Sequence, residues 1–353
     1  MVELDNRSAW AAGLYPGWSP KAERQMTLVF KASFAFDAKG TLIPMVPSLP
    51  IEETDRYCGE PGKSSLAAAG ETVPFKQGGE LLLFGTAHPP KADATVTEVS
   101  LSLRRAKDRC REKTLRVFGP RRWEKGLLGI SFSNPAPLAP LPLRYEHAYG
   151  GCDPNHDDKL YTQNPAGVGY SDKGWRVGGM ALPQIEIGPK FISGPTQRVT
   201  PAGFGPLAPF WEPRSQTFEK LDHEALEWGG CPYPADAAPQ MHNAAPLDQR
   251  FDQPFQGEET LRLKGLVEGA PRDGLLLNLP RLKPDLKLIR GSRVESLQPH
   301  CDTLVIDTDA RRLSLVWRVG IPWNLREQQT NWLVLTDLDF EDQYDDQDME
   351  FGA

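Results

Sequence analysis

Apolar side chains recur at every second position along much of this chain, which is the spacing of a β-strand and not of an α-helix. The clearest run is residues 26–36, where five apolar side chains share one face: Leu28, Phe30, Ala32, Phe34 and Phe36. The other face carries Thr27, Lys31 and Ser33. This alternation predicts a half-buried strand of an antiparallel sheet, with one face packed on a core.

Further segments show the same period and are predicted to be strands: residues 80–87, 95–103, 113–118, 129–132, 184–187, 260–266 and 275–279. The strongest hairpin signal covers residues 302–319. There Leu304 and Ile306 are expected to face Leu313, Leu315 and Trp317, because residues 307–310 supply the polar side chains that favour a tight turn.

The chain also contains 32 glycines and 33 prolines, which interrupt long helices. One helix is predicted over residues 217–228, with Thr217 as its N-cap and two glycines as its stop. The fold class that follows is mainly β. We expect antiparallel sheets in a sandwich-like or barrel-like arrangement, with long ordered loops rich in glycine, proline and aromatic residues, and one or two short helices.

Regular alternation is lost between residues 134 and 213, where aromatic side chains are frequent. A flexible linker would not carry so many large apolar groups, so this tract is predicted to be an ordered layer packed on the sheets. Residues 1–336 are expected to form a single large β-rich domain, or two lobes that meet within 134–213.

Residues 337–353 form an acidic tail with eight carboxylates and no basic residue. The negative charge of this tail is larger than the formal net charge of the whole chain, which is −7. We expect this tail to be disordered, and a docking segment for a basic partner is the alternative. The remainder is close to neutral, and nucleic-acid binding is not expected without clustered cations. The basic run at residues 104–113 is predicted to be a solvated loop.

Five cysteines at wide intervals, without a C-x-x-C pair, favour free thiols over a disulfide framework or a zinc site. The sequence contains no apolar stretch long enough for a membrane span, and residues 1–10 lack the order of a signal peptide. We therefore expect a cytoplasmic protein that does not bind membranes.

Motifs for nucleophilic serine, phosphate-loop, zinc-peptidase or dinucleotide chemistry are absent from the sequence. One cluster, residues 145–156, combines Glu146, His147, Cys152, Asp153 and His156. Cys152 with a histidine base is one interpretation, and a metal site is a second. The third and preferred interpretation is that these polar groups are hydrogen-bonded within an irregular aromatic loop.

Several blocks, in order along the chain, resemble a bacterial family long classed as a domain of unknown function and encoded in type VI secretion loci. The residues that carry the resemblance are Tyr145, Glu146, His147, Tyr149, Gly150, Gly151, Asn164, Pro165, Gly167, Gly169, Gly203, Phe204, Trp211, Arg214, Asn243, Pro246 and Gln249. The likeness extends from about residue 6 to residue 318.

The resemblance implies an adaptor or chaperone that binds a toxic type VI secretion effector and helps load it onto the spike of VgrG and PAAR proteins. Such a protein is not an enzyme and needs no cofactor, metal or catalytic residue. Alternatives are a hydrolase or metal-dependent enzyme that uses Glu146, His147, Cys152 and His156, and a structural component of the secretion machine. The family-motif residues are interpreted as shared scaffold in preference to a partner-binding surface.

Overall fold

The computed structural model describes residues 2–105, 110–127, 129–174, 176–212, 214–217, 240–323 and 330–336. Strands account for 44% of the structure and helices for 3%, which confirms the prediction of a mainly β fold. The sheets do not close into a barrel. Among the described residues, the helical elements are three single 3-10 turns, Tyr145–His147, Ser215–Thr217 and Leu247–Gln249. The helix predicted at 217–228 and the acidic tail at 337–353 lie outside the described residues, apart from Thr217.

The described strands, numbered along the chain, are β1 (Val2–Asn6), β2 (Ala11–Trp18), β3 (Arg24–Phe36), β4 (Leu42–Pro44), β5 (Arg56–Tyr57), β6 (Leu66–Ala68), β7 (Gly79–Phe84), β8 (Thr86–Ala87), β9 (Val96–Arg104), β10 (Arg111–Phe118), β11 (Trp123–Gly126), β12 (Gly129–Phe132), β13 (Leu141–Pro142), β14 (Tyr149–Gly150), β15 (Cys152–Asp153), β16 (His156–Leu160), β17 (Val168–Gly169), β18 (Ile185–Ile187), β19 (Arg250–Phe251), β20 (Thr260–Lys264), β21 (Leu275–Asn278), β22 (Asp285–Arg290), β23 (Arg293–Leu297), β24 (His300–Asp307), β25 (Arg312–Pro322) and β26 (Asn331–Thr336).

The largest sheet has seven strands in the order β19-β7-β24-β25-β3-β2, with β4 beside the end of β3. The predicted hairpin forms β24 and β25, and Leu304 pairs with Leu315 as its alternation requires. On the core face, the rings of Trp10, Phe30 and Trp317 all contact one another, with ring centroids 5.4–5.8 Å apart. The period-two pattern therefore identified the strands at the centre of the molecule.

The polar face of β3 is buried as well, which the half-buried prediction did not anticipate. Thr27 is 0% exposed, Lys31 is 4% exposed and Ser33 is 2% exposed. The chain between β4 and β7 covers this face, since the Lys31 ammonium contacts the Glu71 carboxylate at 2.5 Å and donates to the Pro50 carbonyl oxygen. Polar groups on this face are thus satisfied by a covering segment instead of by water.

Two further buried ion pairs, Arg318–Asp302 and Lys76–Glu80, lie on the same side of the large sheet. The Lys76 ammonium also donates to the Thr303 hydroxyl at 2.9 Å, and that hydroxyl donates to Asp302 at 2.8 Å. The second guanidinium nitrogen of Arg318 donates to the backbone oxygen of Glu71. These contacts link strands β7, β24 and β25 to the covering segment.

A five-stranded sheet has the order β18-β10-β9-β20-β21, and Val99, Leu101 and Leu103 face its core as predicted. A four-stranded sheet has the order β1-β26-β22-β23, in which β1 and β26 are parallel. Sequence analysis did not predict β22 or β23. One apolar core gathers side chains from all three large sheets.

The tract at 134–213 is ordered in its described residues, and most of its aromatic side chains are buried, as predicted. Tyr145, Phe204 and Trp211 join the main core, while Tyr149 and Tyr170 form a smaller cluster with Trp123. Tyr161 and Phe191 are partly buried, and Phe210 is 46% exposed. None of the helices in the described part of the chain has the length and apolarity to cross a membrane.

We expect the Lys31→Met variant to lose about 3–5 kcal/mol in free energy of unfolding, because the Glu71 carboxylate then stays buried without a counter-charge. The double variant Lys31→Met/Glu71→Gln removes both charges and should lose less. Urea unfolding monitored by tryptophan fluorescence measures this difference. Lys39→Met, at an exposed lysine, is the control, and a Lys31→Met variant as stable as this control would contradict the prediction.

Candidate functional site

The side chain of Asn164 connects two of the family-motif blocks. Its amide nitrogen donates to the backbone oxygens of Tyr145 and Tyr149 at 2.8 and 3.0 Å. Its own backbone oxygen accepts hydrogen bonds from the N–H groups of Gly151 and Gly167. Asn164 is 0% exposed, so these bonds satisfy groups that water does not reach.

Gly150 and Gly151 permit this close approach. Gly150 has φ +153° and Gly151 has φ +88°, and a Cβ at either position would lie within 2.2 Å of a backbone oxygen of Asn164 or Gly167. Only glycine combines this backbone conformation with the available space. The result is a short parallel pairing in which Tyr149 lies opposite Val168 and Gly150 lies opposite Gly169.

Tyr145 joins this region to the third block. Its ring lies directly over Gly203 and meets the Trp211 ring edge to face, with centroids 5.6 Å apart. Its hydroxyl donates to the backbone oxygen of Gly205 at 3.3 Å. Burial, with a smaller contribution from Asp248, raises the pKa of the Tyr145 phenol well above its ordinary value. Tyr145 is therefore a neutral hydrogen-bond donor in the core.

Gln249 connects the last block to the large sheet. Its amide nitrogen donates to the backbone oxygens of Leu81 and Phe204 at 2.7 and 2.8 Å, and its amide oxygen accepts from Lys113 at 2.8 Å. Burial lowers the pKa of Lys113, and the Asp248 carboxylate opposes this shift. Pro246 accepts the Gln249 backbone N–H at 2.9 Å and so closes the turn that positions this side chain.

Asn243 and Arg214 are also engaged inside the protein. The Asn243 amide exchanges long hydrogen bonds, 3.4 Å each, with the backbone of Gln77. The Arg214 guanidinium donates to the Leu207 backbone oxygen at 2.6 Å, and burial lowers the pKa of this arginine. Burial opposes ionisation of the neighbouring Glu80, but Lys76 and the Ala245 N–H still hold the pKa of Glu80 below its ordinary value.

His242 lies beside this group of charges. Its imidazole meets the Phe75 ring edge to face at 4.7 Å. Burial, reinforced by the charges of Lys76, Arg318 and Arg214, lowers the pKa of His242 to about 3. His242 is therefore neutral in the folded protein near pH 7.

The cluster considered for catalysis or metal binding is divided among different environments. Both carboxylate oxygens of Glu146 accept hydrogen bonds from Ser65, at 2.9 Å from the backbone N–H and 2.7 Å from the hydroxyl. Cys152 is exposed, whereas the adjacent Asp153 is buried and accepts the Asp172 N–H at 2.7 Å. Burial lowers the pKa of the half-buried His147. Within the described ranges, no group of three His, Cys, Asp or Glu side chains is arranged to hold a metal ion.

A groove that sequence analysis missed lies where the three large sheets meet. It has a volume of about 730 Å³ and is lined by three extended segments, residues 254–257, 280–285 and 298–301, together with Leu315 and Trp317. Four prolines occur in these segments: Pro254, Pro280, Pro284 and Pro299. Proline lacks a backbone N–H, so these four positions donate no backbone hydrogen bond, although Phe255 still pairs with Cys301 between two of the walls. The position of these prolines beside strand ends was the sequence signal from which the groove could have been predicted.

The chain belongs to a bacterial protein family described as "Uncharacterized protein conserved in bacteria (DUF2169)", which it matches over residues 21–318. All of the family-motif residues and all three walls of the groove fall inside this range. No curated protein and no solved structure matches the chain.

We expect Asn164→Ala to lower the free energy of unfolding by about 2 kcal/mol, because the Tyr149 backbone oxygen loses the Asn164 donor and the Tyr145 oxygen keeps only the Ala148 N–H. Asn278→Ala removes an amide from an exposed strand position and is the matched control. Chemical denaturation of both variants measures the difference. Equal stability of the two variants would show that Asn164 does not hold the blocks together.

We expect acid to destabilise the protein through His242, whose pKa falls from 6.5 to about 3 on folding. Below pH 6.5 the unfolded chain binds a proton that the folded protein does not, so stability decreases as the pH falls. Between pH 7 and pH 5, the free energy of unfolding of wild type should fall by about 2 kcal/mol more than that of His242→Gln. Urea unfolding at both pH values provides the comparison, and identical losses in the two proteins would refute it.

Proposed function

We propose that this protein is a non-catalytic adaptor or chaperone that binds a type VI secretion effector in the cytoplasm and assists its loading onto the VgrG/PAAR spike. The order of motif blocks that resembles the secretion-associated family motivates the proposal. The groove at the junction of the sheets is the observation that carries it, because it supplies a surface for a partner protein.

The roles of the motif residues support a division between scaffold and recognition surface. Asn164, Gln249 and Arg214 direct their polar groups to backbone oxygens inside the protein. Side chains engaged in this way hold the fold and do not contact a client. A family that serves different clients needs such a common frame, with recognition placed on side chains that reach solvent.

The groove has features suited to an extended segment of another protein. Phe255 and Trp317, which are 4% and 5% exposed, form its apolar floor, while the exposed Gln256, Gln298 and His300 provide polar groups at its margin. Aromatic side chains surrounded by polar ones are typical of surfaces that bind proteins.

The test is co-expression of this protein with the effector or spike protein encoded beside its gene, followed by affinity purification. We expect the two proteins to purify together, and Gln298→Trp to reduce the recovered partner at least about tenfold by filling the groove. Thr114→Trp, at an exposed position on β10, is the matched control.

Failure of the wild-type protein to purify with such a neighbour, combined with unchanged effector secretion in a deletion strain, would refute the adaptor function. Co-purification that Gln298→Trp leaves intact would retain the adaptor function and exclude the groove as its binding surface.

A further inference from the structure

The four-stranded sheet ends in an open edge at β23. Every residue from Arg293 to Ser296 is exposed, and Val294 is 59% exposed. In the part of the chain that the structure describes, β23 pairs only with β22. An open edge presents unpaired N–H and C=O groups that another strand can bind.

The hairpin geometry determines which backbone groups face outward. Arg290 and Arg293 flank a two-residue loop, and Gly291 has the positive φ (+58°) of a tight hairpin turn. The pair that closes such a loop is hydrogen-bonded, and bonded and non-bonded pairs then alternate along the ladder. The N–H and C=O of Val294 and Ser296 therefore point away from β22, towards the open edge.

An apolar row reaches this edge on the outer face of the sheet. Trp332, which is 43% exposed, pairs with Ile289, and Ile289 pairs with Val294. These three side chains share one face because they are direct cross-strand partners. The row stops at Val294, where the sheet ends.

We propose that a second copy of this chain binds the edge, with two β23 strands pairing antiparallel about a two-fold axis at Val294. In this register the two Val294 residues exchange both backbone hydrogen bonds, which uses the groups that point outward. The apolar row then continues from Trp332 of one copy to Trp332 of the other. Two four-stranded sheets become one sheet of eight strands.

The charges of Arg293 and Glu295 favour this register over the register with its two-fold axis at Glu295. A two-fold axis at Val294 places Arg293 opposite Glu295 of the second copy, twice, whereas an axis at Glu295 would place the two Glu295 carboxylates opposite each other. Opposite charges across a pair stabilise a sheet and like charges destabilise it. Neither Arg293 nor Glu295 has an ion-pair partner among the residues that the structure describes.

Sedimentation of the full chain at low-micromolar and high-micromolar concentration tests the proposal. We expect a concentration-dependent dimer, weakened at least about tenfold by Arg293→Glu or by Glu295→Arg, because each change replaces two attractive pairs with two repulsive ones. The double variant Arg293→Glu/Glu295→Arg restores the pairs and should return to within about threefold of wild type. Arg262→Glu, at an exposed position of β20 in the five-stranded sheet, is the matched control.

Cysteine substitution distinguishes the two registers. In the proposed register, two Val294→Cys residues lie about 5.5 Å apart between Cα atoms, within the range of a disulfide. Two Glu295→Cys residues lie about 8 Å apart, beyond it. Of these two variants, we expect only Val294→Cys to form a disulfide-linked dimer. Wild type under the same oxidation is the control, because it reports links through native cysteines such as the exposed Cys152.

A chain that remains monomeric at every concentration would overturn the proposal and leave β23 open to a strand of a different protein. A dimer that is unaffected by the charge reversals and forms no Val294→Cys link would also overturn it, because its interface would lie elsewhere.

Discussion

The seven-stranded sheet is buried on both faces, although only one of them is apolar. Its second face carries Lys31 and Arg318, whose charges would be too costly to bury alone. Glu71 and Asp302 supply the counter-charges, and Glu71 belongs to the segment that covers the sheet. The covering segment and the sheet therefore depend on one another, because each buries charges that the other neutralises.

The irregular tract of the chain is held in a related way. Asn164 and Gln249 replace the regular ladder of a sheet with side-chain amides that bind backbone oxygens from distant segments. Gly150 and Gly151 allow the chain to approach closely enough for those bonds. The motif blocks thus form a frame around Tyr145 and Trp211.

Most of the central strands could be predicted from the sequence, because alternation of apolar residues reports a core face directly. The strands β22 and β23 were missed because residues 293–296 of β23 are exposed and show no apolar alternation, and the buried positions of β22 are limited to Leu286 and Leu288. The aromatic residues of the tract were correctly expected to be buried. The cluster around Cys152 looked reactive in the sequence, but Cys152 is exposed and the adjacent Asp153 is buried, so the two side chains lie in different environments.

The amino-acid sequence by itself determined that this is a β protein with an ordered, aromatic-rich middle and a nearly neutral body, since period, turn residues and charge are local properties. Only the tertiary structure decided that the polar face of β3 is buried, that Asn164 and Gln249 bind backbone groups far away in the chain, and that β23 is an open edge. Those features depend on which segments meet in space, and a local pattern does not encode the identity of a distant partner.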